Sequence, residues 1–167
     1  MPNKYNRTLA VDYAIKYATD PNKQYKYYKF INGNGGDCTN FVSQCLKAGG
    51  SPVDYNKIRP WWYHQGKSSI CWSVAHSLYW YLKMNQSTNR NVIKGLEIED
   101  IHNLEIGDVV FYENYNNVIF HSAIITSFVD VSGNKEPLIS QHSFDQLNGN
   151  YLKSYEYKKA HFLKIIL

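Results

Sequence analysis

The hydrophobic spacing of this 167-residue chain changes once, near Leu104, and that change limits the folds open to it. Before it, apolar residues recur every three or four positions, as on one face of a helix. After it, they come in short extended runs. Helices first and strands second is the pattern of an α+β domain, with helices packed on an antiparallel sheet. The length suits one domain spanning residues 1–167, and a 44% apolar share is ordinary for a chain that buries one core.

The spacing predicts a first helix over 4–20. Leu9, Tyr13 and Tyr17 recur at four-residue spacing, with Ala10, Ala14 and Ala18 as a thin stripe beside them. Asp12 and Lys16 are placed to pair across a turn, and Pro21 marks the stop. A tyrosine-rich connection ends in Gly33-Asn34-Gly35-Gly36, which breaks regular structure. The second helix is predicted over 38–48. Asp37 is its N-cap, Phe41, Val42, Cys45 and Leu46 form its apolar face, and Gly49-Gly50 end it. A third, over 73–84, buries Val74, Leu78, Tyr81 and Leu82. Gly107-Asp108 reads as a turn. Strands are predicted at 109–112, 118–130, 137–143 and 161–167, with a turn at 132–134.

Of three cysteines, Cys38 is placed for chemistry. It follows Gly35-Gly36 and opens a helix, where the positive end of the helix dipole and unpaired backbone N–H groups favour a thiolate. Its own N–H is placed to help stabilise an oxyanion. A buried small residue is the alternative, the commonest fate of a free cysteine. Cys38 and Cys45 on one helix lie about 10 Å apart along its axis, beyond the ~7 Å reach of a disulfide. Cys45 and Cys71 read as buried thiols, so neither a disulfide framework nor a zinc site is expected.

His121 is the candidate base, sharing one strand face with Ala123 and Ile125. If that face meets the Cys38 helix, the imidazole reaches the thiol. A third group normally orients such a base. Pairing about the 132–134 turn sets His142 beside His121, with Gln141 on the opposite face of a regular strand. A bulge or a longer loop would bring in Gln141 or Asp145 instead. His64, His76, His102 and His161 have no metal-ligand spacing and no HExxH pattern, so no metal or cofactor is expected.

Four blocks, GGDCTNFVSQCLKAGG, LEIGDVVFYE, HSAIIT and PLISQHS, occur in that order. Together they resemble the bacterial amidase domains related to the NlpC-type and CHAP cell-wall peptidases. The resemblance covers Tyr5 to at least Ser143. It implies a papain-like core with Cys38 as nucleophile, His121 as base and His142 as orienting residue, the third position varying among such families. It also implies that Trp61, Trp62 and Trp72 line a substrate groove, core packing being the other reading of each ring.

The activity implied by that resemblance is hydrolysis of an amide bond through a thioacyl enzyme, with peptidoglycan or a peptide as substrate. Two alternatives stay open: a papain-like deamidase, acyltransferase or effector toxin, and an inactive wall- or glycan-binding module. A net charge of +4 with scattered basic residues gives no stripe for nucleic acid, and mildly favours an anionic wall. The first residues lack the apolar core of a signal peptide, and no run approaches the ~20 apolar residues of a membrane span. The expectation is a monomer acting at a bacterial cell wall, either a domain cut from a longer protein or a phage-type lytic enzyme.

Overall fold

The computed structural model describes residues 4–153 and 155–167. Helix α1 (Arg7–Tyr17) leads through the short hairpin β1 (Phe30–Ile31) and β2 (Asn34–Gly35) to α2 (Cys38–Ala48). A second small hairpin, β3 (Tyr63–His64) and β4 (Lys67–Ser68), precedes α3 (Ile70–Ser73) and α4 (Ala75–Asn85). The remainder is β5 (Lys94–Ile98), a 3-10 turn (Ile101–Asn103), β6 (Val109–Glu113), β7 (Ile119–Val131), β8 (Asn134–Gln141), β9 (Gln146–Asn150) and β10 (Lys159–Ile166). The last six strands form one antiparallel sheet in the order β5-β10-β6-β7-β8-β9. The fold is of the α+β class, as the change of spacing implies.

Because strand side chains alternate, the sheet offers two apolar faces. One face, with Val109, Phe111, Ile124 and Leu163, packs under α1, α2 and α4. The other, with Val110, Tyr112, Ala123, Ile125, Ile139 and Phe162, is covered by Leu104, Ile101 and the segment bearing Tyr151 and Tyr157.

The first helix is shorter than its spacing predicts and differently faced. Asn6 caps it, accepting a hydrogen bond from the Leu9 N–H. The alanine stripe is the buried one, whereas Leu9 is 52% exposed and Tyr13 and Tyr17 are half-buried. Side chains this small let the helix axis approach α2 closely, which Leu9 in the same place would prevent. Asp12 and Lys16 form no ion pair among the described residues; the Lys16 ammonium lies over the Tyr17 ring. The helix is instead latched to the sheet by Arg7, which donates to Asp108 at 2.6 Å and to the Ile106 and Ile165 carbonyls. Asp108 also accepts from the Ile165 and Glu105 N–H groups, so the Gly107-Asp108 turn ties α1, β6 and β10 together.

The predicted third helix is two. Val74 is extended between α3 and α4 and is exposed rather than buried. The break lets α3 bury Cys71 and Trp72 while α4 starts afresh with Leu78, Tyr81 and Leu82 inward. Strands β5 and β9 carry no clear apolar alternation and escape the sequence pattern, being edges that pair on one side only.

Candidate active site

Cys38 is the first residue of α2 and is 8% exposed. Asp37 holds the N-cap position, but its carboxylate does not cap. One oxygen accepts from the Tyr28 N–H and the Asn40 amide, and the other meets His142 at 2.5 Å. The first-turn N–H groups of α2 are therefore not occupied by the capping side chain that the sequence predicts in Asp37. Just before it, Gly36 has φ +110, and a Cβ there would come within 2.7 Å of the Ser143 hydroxyl. Glycine thus permits the Asp37 N–H to donate to that hydroxyl at 2.6 Å, fixing the start of α2 to the end of β8.

The face carrying His121 does not meet α2. Helix α2 lies on the Ser122 and Ile124 face, where the Thr39 and Ser122 hydroxyls are 3.1 Å apart. His121 points the other way, beside Tyr112. The two groups meet at the edge of β7. Ile125 directs its N–H and C=O toward the β6 side, to Asp108 and Gly107, so Ser122 directs its own toward β8. The last β7 pairing with β8 is Ile124 with Ser140. Beyond it no further β8 pairing follows among the described residues, and the Ser122 N–H there acts to lower the pKa of the Cys38 thiol.

Burial is the largest influence on that thiol and raises its pKa. Against it act the charge and a side-chain hydrogen bond of His121, the Thr39 hydroxyl and the Ser122 N–H, and the balance lowers it from 9.0 to about 7. Burial pushes the Cys45 thiol well above its ordinary value and Cys71 up to about 11. Only one of the three thiols is therefore poised to ionise near neutrality.

The residue that holds His121 is Gln141, not His142. The Gln141 side-chain carbonyl is 2.9 Å from His121 Nε2, and its NH2 donates to the Phe144 carbonyl at 3.0 Å. That second bond fixes the amide, so its oxygen faces the imidazole and Nε2 carries the proton. Nδ1 is left to serve the thiol. Two register features move the predicted neighbour. The hairpin turns tightly at Ser132-Gly133, both at positive φ, with Val131 opposite Asn134. A bulge at Thr126 then shifts the pairing by one. Continued past Ser140, this register sets Gln141 opposite Ala123, on His121's face and diagonal to it. His142 falls on the helix side. It stacks on Phe41 at 4.1 Å and is held between Asp37 and the Tyr17 carbonyl, 2.7 Å away.

The tryptophans named from sequence do not line the cleft beside Cys38. Trp61 and Trp72 are fully buried, hydrogen-bonded to Ser43 and Asn40. Trp62 is half-buried and stacks on Tyr55 instead. The cleft consists of two cavities that share Gly35, Cys38 and Phe120. One, of about 380 Å³, runs past Tyr28, Thr39 and Ser73. The other, of about 260 Å³, contains His121 and is walled by Phe30, Phe120, Phe144 and Tyr155. These four rings come from separate segments. Phe30 lies in the tyrosine-rich connection and Tyr155 stands between Tyr151 and Tyr157, but no local spacing marks any of them for the cleft. Asp145 is exposed and borders a neighbouring basin. His161, on β10 two strands across the sheet from β7, is clamped between Glu97 and Glu113. Among the described residues no group of three or more His, Cys, Asp or Glu side chains is arranged to hold a metal ion.

A family model described as "Putative amidase domain" matches residues 4–166. The chain belongs to that family. Two Bacillus subtilis (strain 168) proteins are similar to this amidase domain. "Uncharacterized protein YhbB" is 33% identical over 144 residues, covering 85% of this chain and 42% of that protein. "Uncharacterized protein YjcM" is 33% identical over 153 residues, covering 86% of this chain and 32% of that protein. The chain thus spans less than half the length of these relatives. No solved structure matches it. The family name points to hydrolysis of amides.

Proposed function

We propose that this amidase domain is a cysteine hydrolase of papain-like construction that cuts amide bonds in bacterial peptidoglycan. The observation that carries the reading is the Cys38 thiol at the start of α2, lowered to about 7 beside an imidazole whose other nitrogen Gln141 holds. His121 Nδ1 takes the thiol proton, and the thiolate adds to the amide carbonyl carbon. The Cys38 N–H, at the positive end of α2, donates to the oxyanion. His121 returns its proton to the amide nitrogen as the C–N bond breaks, leaving a thioester on Cys38. Water, deprotonated by His121, then releases the acid and restores the thiol. Gln141 keeps the imidazole oriented in both steps. The choice of peptidoglycan rests on the family resemblance, since one fold hosts many substrates.

Digestion of purified peptidoglycan with product identification by mass spectrometry tests this. New amino groups without new reducing ends are expected, abolished by Cys38→Ala and by His121→Ala. The two losses should not add, because the pair acts as a unit. Amide cleavage of other substrates but not of walls would leave a deamidase or effector activity. Wall binding without any product, with no acyl adduct at Cys38, would mark an inactive binding module. Full activity in Cys38→Ala overturns the mechanism.

A further inference from the structure

The cavity that holds His121 shares Phe144 and Tyr155 with a larger basin of about 760 Å³, which Gln141 also lines. Lys153 lines it. Its ammonium donates to the Gln146 side chain at 3.2 Å and stands 5.7 Å from the centre of the Tyr112 ring. Among the described residues it makes no ion pair: Asp145, on the same basin, is not bonded to it. Burial draws its pKa down to about 8, and no carboxylate offsets that. Lys83 makes the comparison within the same fold. It is also partly shielded, but it bonds Glu97 and Tyr79, and its pKa is raised despite burial. A shielded ammonium with only an amide oxygen and a ring face for company is costly, and an incoming anion would relieve it.

The direction of the chemistry decides which half of a substrate reaches it. His121 must hand its proton to the leaving nitrogen, so the amine half departs through the cavity that His121 lines. Phe144 and Tyr155 line both that cavity and the basin of Lys153. The Tyr155 hydroxyl is buried and has no hydrogen-bond partner among the described residues, a donor with nothing yet to donate to. We propose that the Lys153 basin is a subsite for a free carboxylate carried on the amine half of the substrate, beyond the scissile bond. This rests on the amide-hydrolase reading above. It deepens that reading by selecting peptides whose leaving half is anionic.

Soluble muropeptides, released by cutting only the glycan and with their carboxyl groups either free or converted to amides, supply matched substrates. For the wild-type protein, amidation should raise KM about 10- to 100-fold, the effect of one charge-assisted hydrogen bond. Lys153→Met, which keeps the stem and removes the charge, should raise KM for the free acid alike and become indifferent to amidation. Its thermal midpoint should not fall, since a shielded and unpaired charge has gone. Equal cleavage of both substrates by the wild type, or discrimination kept in Lys153→Met, overturns the subsite while the hydrolase reading stands. If the wild type cuts neither, the hydrolase reading fails. Calorimetric titration of Cys38→Ala with the two peptides then decides the subsite alone. Preference for the free acid keeps it, and equal or absent binding removes it.

Discussion

Replacing His121 by alanine should change the reactivity of Cys38 by an amount that can be worked out. Burial raises the thiol pKa, and His121 leads the groups that bring it down to about 7. Without the imidazole, burial remains against only the Thr39 hydroxyl and the Ser122 N–H, so the pKa should rise, and a full return to the ordinary 9.0 sets the scale. Two units correspond to about 3 kcal/mol of lost thiolate stabilisation. At pH 6.5 a thiol of pKa ~7 is roughly one-quarter ionised, and one of pKa ~9 only about 0.3%, a ratio near 75. The more basic thiolate is intrinsically faster by about 8-fold over two units. The net expectation is alkylation roughly tenfold slower at pH 6.5. Iodoacetamide labelling from pH 5 to 10, read by peptide mapping, measures it. The wild-type midpoint at Cys38 should lie at about 7, with Cys45 and Cys71 unlabelled. A midpoint that His121→Ala leaves unmoved, or labelling spread evenly over three cysteines, would refute the coupling.

Three further outcomes are expected. Gln141→Ala should lower kcat about tenfold or more, with little change in KM, because a base that still exists has lost the bond that orients it; an unimpaired variant would remove Gln141 from the site. Asp37→Ala leaves His142 buried without its anion and should cost about 3–5 kcal/mol, some 10 °C in Tm by calorimetry. Asp37→Asn should cost far less, since an amide can donate to a neutral His142 and still accept from Tyr28 and Asn40; equal losses in the two variants would show that charge, not bonding, is what matters there. Trp61→Ala should cost about 3–5 kcal/mol in urea unfolding as a core cavity, with KM of the folded protein little changed. A large rise in KM would return Trp61 to the substrate groove.

Some of the architecture is legible locally. The helix that Cys38 opens is marked by its own flanking residues: a polar Asp37, an apolar face from Phe41 to Leu46, and Gly49-Gly50 at the end. Four of the strands from Val109 onward follow from their extended apolar runs, β9 excepted, as does His121 near the start of a long one. Such signals survive because helix and strand periods are properties of neighbouring residues.

The third member of the site is not legible, because it depends on a sum. Each step from the Ser132-Gly133 turn back to His121 adds to the register, and one extra residue at Thr126 exchanges His142 for Gln141. The same holds for the cleft. Trp61 and Trp72 stand out in sequence but are drawn inward by Ser43 and Asn40. Phe30, Phe120, Phe144 and Tyr155 are unremarkable until four distant segments converge on the thiol. Residue types and local periodicity determined the helix, most of the strands and the candidate pair Cys38 and His121. Which polar side chain holds His121, and which rings wall the cavity beside Cys38, was decided only where strands end and segments meet, since long-range packing energy is carried by no single stretch of chain.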